Sequence, residues 1–102
     1  MTVRIVFRPA AEDDLNALFE YLAHETTPRA AGEYTRRVHA ACMALEMFPN
    51  RGAPRDDLGL GVRLLGFERR VAIAYEVGEA EVEILGLFFG GRDFETVLRA
   101  GR

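Results

Sequence analysis

Apolar and polar positions alternate at the start of the chain, where Val3, Ile5 and Phe7 share one face. A period of two residues is typical of a strand with one buried face. Pro9 ends the pattern and suits the first position of a helix, because its missing N–H needs no partner there. Apolar residues then recur at helical spacing and predict a first helix over about residues 10 to 25. Its apolar face is formed by Ala11, Leu15, Leu18, Phe19 and Leu22.

A second helical segment follows the sequence Thr26-Thr27-Pro28. The Thr27 hydroxyl is suited to cap the helix, and Pro28 to occupy its first position. Apolar residues then step by four, three, four and three, which predicts a helix that ends near Phe48, before Pro49. The short link between the two helices predicts an antiparallel hairpin. The apolar stripe of this second helix comprises Tyr34, Val38, Ala41, Leu45 and Phe48.

The second half of the chain is typical of strands. Residues 49 to 61 are rich in Gly, Pro and Asp and predict a loop. Strands are predicted for residues 61–66, 69–77 and 81–89. The last becomes apolar on both faces, which favours either a central strand covered on both sides or a strand whose second face receives a partner. Residues 93–98 predict one or two turns of helix.

The order β-α-α-β-β-β predicts a two-layer α+β fold, with a helical hairpin packed on a small, mainly antiparallel sheet and a short C-terminal helix. The chain has 102 residues, of which 49% are hydrophobic. This length and composition predict one domain over residues 1–102. No apolar run approaches the roughly 18 residues that a membrane span requires, and no secretory signal is present, so we expect a cytoplasmic protein.

Composition excludes several kinds of chemistry. The chain contains no Lys and no Ser, and all 13 basic residues are Arg. Serine nucleophiles, Schiff-base lysines and the P-loop lysine are therefore absent. One Cys and two His are too few for a structural zinc site, so we expect no metal and no cofactor. The net charge of −3, without a basic field in either half, predicts no strong direct binding to nucleic acid.

Four segments of the chain form a characteristic pattern: residues 6–15 (VFRPAAEDDL), the Gly- and Pro-rich link over residues 48–63, residues 67–77 (FERRVAIAYEV) and residues 82–93 (VEILGLFFGGRD). Together these segments resemble ParE-type toxins of the RelE/ParE superfamily. The resemblance covers nearly the whole chain and rests on the order and spacing of the four segments jointly. In one respect the sequence departs from the family pattern. Phe89-Gly90 stands where a His often precedes the Arg-Asp pair, so Arg92-Asp93 is kept and a proton carrier is lost.

The resemblance implies the toxin half of a bacterial type II toxin–antitoxin pair. ParE-type members poison DNA gyrase, whereas RelE-type members cut messenger RNA on the ribosome. Both are neutralised by a small antitoxin encoded beside the toxin, of the ParD kind for ParE. The expected partners are therefore a ParD-type antitoxin and DNA gyrase.

The residues available for chemistry favour a toxin that acts by binding. RNA cleavage requires groups that exchange protons near neutral pH, usually His, Lys, Tyr or a carboxylate. Lys is absent and both His lie on the predicted hairpin, while Arg holds phosphate well but transfers protons poorly. We therefore predict no catalytic residue. Two alternatives stay open: a RelE-type RNase that uses Tyr75 with a carboxylate, and an inactive homologue that serves only as an antitoxin-binding module.

Six residues on the predicted sheet and its flanks are candidates for contact with the target. Each candidate also has an ordinary structural explanation. Arg63, Arg69 and Arg70 are then solvated charges of the strands and turns, Tyr75 packs in the core, and Arg92 and Asp93 form an ion pair that holds the last segment. The candidates are Arg63, Arg69, Arg70, Tyr75, Arg92 and Asp93.

The second helix has a further stripe opposite its core face. Two methionines that face away from a core are unusual, and Met is common at adaptable binding surfaces. We therefore hypothesise that an antitoxin helix lies across the hairpin here, with acidic side chains near Arg36 or Arg37. Alternatively, the C-terminal segment (residues 94–98) folds back over the methionines. The candidate contacts are Arg36, Arg37, Ala40, Met43 and Met47.

Overall fold

The computed structural model describes residues 3–91 and Leu98 and has the predicted α+β architecture. Its elements are β1 (Arg4–Phe7), α1 (Pro9–Glu25), α2 (Pro28–Met43), a 3₁₀ turn (Ala44–Glu46), β2 (Ala53–Pro54), β3 (Val62–Phe67), β4 (Val71–Val77) and β5 (Glu81–Phe88). The predicted order of helices and strands is confirmed. The predicted loop over residues 49–61 also contains β2, a two-residue strand that pairs with β3.

The five strands form one mixed sheet in the order β1-β5-β4-β3-β2. The β1–β5 pair is parallel and the other pairs are antiparallel. Parallel pairing is open to β1 and β5 because the helical hairpin and the intervening strands supply the long connection it needs. β5 therefore lies inside the sheet, between the first strand of the chain and β4.

The helical hairpin covers one face of the sheet. Pro9 and Pro28 occupy the first turns of α1 and α2, and the Thr27 hydroxyl accepts a hydrogen bond from the Ala30 amide at 3.1 Å. These start signals are as the sequence predicts. The main hydrophobic core includes Ala11, Leu18 and Leu22 of α1, Ala31, Tyr34, Val38 and Cys42 of α2, and Ile73, Tyr75, Val82, Ile84 and Leu87 of the sheet.

The end of the second helix differs from the prediction. The α-helix ends at Met43, and the 3₁₀ turn over Ala44–Glu46 follows it. A 3₁₀ turn has about 3.0 residues per turn rather than 3.6, so it changes the phase of the side chains that follow. Leu45 stays in the core, whereas Phe48 is 62% exposed. The prediction that Phe48 belongs to the apolar core stripe is wrong for this reason.

β5 is covered on both faces, which confirms the first of the two interpretations of its apolar sequence. Ile84 and Leu87 belong to the main core, while Leu85 and Phe88 join a second cluster on the other face. The three-residue step between Ile84 and Leu87 follows from an irregularity in the register, where Ala74 pairs with Gly86 but Tyr75 pairs with Ile84. One extra residue in β5 shifts the alternation of its side chains.

Leu98 belongs to this second cluster, together with Leu58, Val62 and Ala74, and is only 3% exposed. The predicted C-terminal helix, apart from Leu98, lies outside the described residues. Within residues 3–91 no helix is both long enough and apolar enough to cross a membrane.

The β3–β4 turn has an unusual backbone. Glu68 and Arg69 have φ angles of 50° and 59°, and the Arg70 amide donates to the Phe67 carbonyl at 3.0 Å. Positive φ at both central positions suits the right-handed twist of the strands, but Asn-Gly or Gly-Gly normally supplies it. Two residues with Cβ atoms store strain here, of order 1–3 kcal/mol each.

Candidate protein-interaction site

The exposed side of α2, opposite its core face, and the 3₁₀ turn that follows carry a second, exposed stripe with apolar residues at one end and basic residues at the other. Met43 is 40% exposed and Met47 is 72% exposed, while Arg36 and Ala40 are also exposed on the same stripe. The opposite side of α2 carries the buried residues of the core. The predicted exposure of both methionines is confirmed. Leu98 packs on the sheet rather than over them, and the remaining residues of the C-terminal segment lie outside the described part of the chain.

Phe48 extends this stripe, and sequence reasoning missed it. Met47 and Phe48 stand next to each other on the surface and line an open depression of about 620 Å³ with Pro49, Asn50 and Arg51. The signal that could have placed Phe48 outside is Pro49, since the residue before a proline is disfavoured in the α conformation. We call Met43, Met47 and Phe48 the apolar ridge.

The loop that follows the ridge is held by two residues of the sheet. The Tyr75 hydroxyl donates to the Pro49 carbonyl at 2.9 Å and accepts from the Gly52 amide at 2.8 Å. The Arg63 guanidinium donates to the carbonyl oxygens of Asn50 and Gly52. Sequence reasoning singled out Tyr75 and Arg63 separately, and the structure brings them together beneath this loop.

Tyr75 is fully buried, and this decides what its hydroxyl can do. Its exposed fraction is 0%, and burial raises its pKa above 10.0, although the Gly52 amide and the charges of Arg63 and Arg51 act in the opposite direction. Both hydrogen-bonding positions of the hydroxyl are taken by backbone groups. This arrangement gives Tyr75 the role of holding the loop.

A groove beside α2 gathers three of the predicted arginines. Arg36, Arg37 and Arg70 line it with Tyr34 and Ala40, over a volume of about 660 Å³. We call it the arginine groove. Arg37 forms an ion pair with Glu68 of the β3–β4 turn, and its guanidinium lies 5.0 Å from the Tyr34 ring centroid and 5.7 Å from that of Phe67. The sequence placed Tyr34 in the core stripe and Glu68 among the carboxylates near the sheet, but it did not connect either with this groove because their partners come from distant segments.

Tyr34 lies at the base of this groove and is 9% exposed. Its hydroxyl is buried and has no hydrogen-bond partner among the described residues. Burial and the neighbouring Glu68 carboxylate raise its pKa, while Arg70 and Arg37 act in the opposite direction. The hydroxyl is therefore a neutral donor that lacks an acceptor.

The remaining candidates do not join either group. Arg69 is exposed on the β3–β4 turn, and Arg92 and Asp93 lie outside the described residues. Of the two histidines, His24 is exposed in the last turn of α1, and His39 stacks on Phe7 with ring centroids 5.3 Å apart. Among the described residues no group of three or more His, Cys, Asp or Glu is arranged to hold a metal ion.

The fold is an α+β domain with a helical hairpin on one face of a small mixed sheet, and its α2 surface carries an exposed apolar ridge and a groove lined by arginines. The family model for the ParE toxin of type II toxin–antitoxin systems, parDE, matches residues 5–94. The chain therefore belongs to the ParE toxin family. A solved chain from the chromosomal ParDE toxin–antitoxin system of P. aeruginosa has a similar fold, with a TM-score of 0.76 and 24% sequence identity over 86% of this chain and 96% of that one. No curated protein sequence matches the chain.

Proposed function

We propose that this chain is the toxin of a type II toxin–antitoxin pair, that it poisons DNA gyrase by binding rather than by catalysis, and that a ParD-type antitoxin encoded beside it neutralises it. The observation that carries the proposal is membership of the ParE toxin family, with a match that spans residues 5–94. Gyrase acts in the bacterial cytoplasm, so the proposal also assigns the chain to that compartment.

The state of the candidate catalytic groups supports action by binding. General acid–base catalysis requires a proton carrier within reach of the substrate and with a pKa near the working pH. Tyr75 is buried beneath the loop, with its pKa raised and its hydroxyl engaged by backbone groups. Arg63 is occupied by backbone carbonyls. Arg69, Arg92 and Asp93 stay candidates for contact with gyrase.

The exposed stripe of α2 is the proposed antitoxin-binding surface. Arg36, Arg37 and Ala40 lie at one end of it, and the methionines of the apolar ridge lie at the other. Complete burial of a fully exposed methionine contributes about 1.5–3 kcal/mol, and Met47, at 72% exposed, has more area left to cover than Met43, at 40%. We expect the double substitution Met43→Glu/Met47→Glu to weaken antitoxin binding by at least about a hundredfold, since it places two charges under the partner helix. Calorimetric titration of the folded variant measures this.

Leu60→Glu is the matched control for this experiment, because Leu60 is 84% exposed in the loop before β3. It adds a charge to an exposed apolar position away from α2 and is expected to bind the antitoxin normally. Normal binding by the methionine variant would contradict the proposed surface.

A gyrase assay tests the proposed activity. The chain is released from its antitoxin, refolded and added to purified gyrase with relaxed plasmid and ATP. We expect loss of supercoiling or accumulation of cleaved DNA, and recovery when the antitoxin is added back. Unaltered gyrase activity at excess toxin, from a preparation that still arrests growth, would contradict the proposal and favour cleavage of messenger RNA.

A further inference from the structure

Two departures from ordinary folding rules lie beside the same groove. The first is the β3–β4 turn, where Glu68 and Arg69 adopt positive φ angles that glycine normally supplies. The second is the Tyr34 hydroxyl, which is buried in the lining of the arginine groove without a partner among the described residues. Local strain and unsatisfied polar groups that persist in a folded protein concentrate at functional sites.

Neither feature is required to close the fold. Asn-Gly forms this type of turn without strain, and a phenylalanine at position 34 would keep the edge-to-face packing on Phe67, whose centroid lies 5.5 Å away. Glu68 and Tyr34 instead add polar groups to the groove. The turn directs the Glu68 carboxylate to Arg37, and Tyr34 supplies a hydrogen-bond donor.

Of the three arginines in the groove, only Arg37 is paired with a carboxylate among the described residues. Glu68 neutralises Arg37 and holds its guanidinium against the rings of Tyr34 and Phe67. Arg36 and Arg70 form no ion pair with any described residue, and Glu33 is the carboxylate among the lining residues. The groove thus offers two arginines that form no ion pair with a described residue, with one net positive charge after Glu33 is counted, and a tyrosine hydroxyl beside the apolar side chains of Leu22, Ala30 and Ala40.

We propose that the arginine groove receives an acidic side chain from an amphipathic segment of the antitoxin, whose carboxylate is bound by Arg36 and Arg70 and accepts a hydrogen bond from the Tyr34 hydroxyl. This inference rests on the proposed function, because it names the antitoxin as the partner. A carboxylate fits because it only accepts hydrogen bonds and carries the complementary charge. The apolar part of the segment covers the floor of the groove and continues along α2 to the apolar ridge.

The test measures the dissociation constant of the antitoxin for the wild-type chain and three single variants. We expect Arg36→Glu and Arg70→Glu each to weaken binding at least about tenfold, since each places a like charge against the carboxylate. Tyr34→Phe is expected to weaken binding about tenfold while its melting temperature stays equal or rises, because a buried donor without a partner is removed. Loss of affinity without loss of stability separates a binding role from a packing role.

Arg4→Glu is the matched control, since Arg4 lies on β1, outside the groove, and carries the same charge. We expect its affinity to stay within about twofold of wild type. If the Arg36 and Arg70 variants bind the antitoxin as tightly as wild type, the assignment of the groove is overturned but the proposed function is not. Failure of the wild-type chain to bind any ParD-type antitoxin encoded beside it would overturn both this inference and the proposed function. Normal antitoxin binding with loss of gyrase inhibition in the Arg70 variant would assign the groove to the target and overturn the inference.

The double substitution Glu68→Asn/Arg69→Gly tests the turn separately. It relieves the backbone strain and leaves the net charge unchanged, but it removes the ion pair that fixes Arg37 over the rings of Tyr34 and Phe67. We therefore expect a higher melting temperature together with weaker antitoxin binding, because the wall of the groove is no longer held in place. A higher melting temperature with unchanged affinity would show that the turn does not serve binding and would overturn this part of the inference.

Discussion

Tyr75 shows how a side chain that is capable of acid–base chemistry acquires a structural role from its surroundings. Its ring fills the core, and its hydroxyl bridges two backbone groups of the loop after the apolar ridge. Gly52 permits this contact, since a Cβ atom there would lie 2.8 Å from the Tyr75 hydroxyl oxygen. The sequence singles out Tyr75 but gives no sign that Gly52 lies beside it, because 23 positions separate the two residues.

Tyr75→Phe is expected to lower the free energy of unfolding by about 1–3 kcal/mol, because the buried Gly52 amide loses its acceptor while the ring is kept. Urea denaturation followed by circular dichroism measures the change. Tyr21→Phe is the control, since Tyr21 is exposed, and should change stability by less than about 0.5 kcal/mol. Equal effects of the two substitutions would contradict the bracing role of Tyr75.

Buried weak acids should make the fold sensitive to alkali. Burial raises the pKa of the Cys42 thiol from 9.0 to about 12. Because the folded chain holds this proton more tightly than the unfolded chain, the thiol contributes its full stability below pH 9.0 and loses it as the pH rises toward 12. Tyr34 and Tyr75 act with the same sign above pH 10.0.

We therefore expect the free energy of unfolding to fall above pH 9.0, by up to about 1.4 kcal/mol per pH unit for the thiol alone. Urea denaturation of wild type and Cys42→Ala at several alkaline pH values measures this. The variant should have a flatter profile between pH 9.0 and 10.0, whatever its stability at neutral pH. Parallel profiles would contradict a thiol that stays protonated in the folded chain.

Among the elements, α1 supplies a side-chain hydrogen-bond acceptor to β5 just beyond the end of the parallel β1–β5 pair. The last pairs of this ladder join Phe7 with Ile84 and the Arg8 amide with the Ile84 carbonyl at 3.1 Å. The chain then turns into α1, and the Asp14 carboxylate accepts a hydrogen bond from the Leu87 amide at 3.0 Å. Gly86 leaves room, since a Cβ atom there would lie 3.1 Å from Asp14 Oδ2. α1 thus fixes the strand that it covers.

Asp14→Ala is expected to destabilise the fold by about 1–3 kcal/mol, because it leaves the Leu87 amide without its acceptor. Asp13→Ala is the matched control, since Asp13 is exposed on the same turn of α1. Thermal and urea denaturation of both variants measure the difference. Equal stability of the two variants would show that the Asp14 contact contributes nothing to the junction.

The helices, their capped starts and the order of strands were predictable because each depends on local signals such as Thr27-Pro28 and the apolar periodicity. The 3₁₀ turn after Met43 was not, since its phase change depends on how Leu45 meets the core. The same division applies to the site. The methionines of the ridge were predictable from helical spacing, whereas Glu68 and the Tyr34 hydroxyl gain their roles from contacts between α2 and a turn more than 30 residues away.

At the scale of the whole molecule, the sheet and the loop contacts present a surface that is fixed before any partner arrives. The apolar ridge, the braced loop behind it and the arginine groove all flank α2, so one extended partner segment could engage both ends of the helix. Pre-organisation of this kind lowers the entropic cost of association.

The proposed poisoning of gyrase can be measured inside cells that express the chain without its antitoxin. Plasmid DNA and total RNA are recovered from the same culture at intervals after induction. We predict that plasmids lose negative supercoiling or appear as protein-linked broken molecules while messenger RNA stays intact. Unchanged plasmid topology, together with cleavage of ribosome-bound messenger RNA, would contradict the proposed action on gyrase.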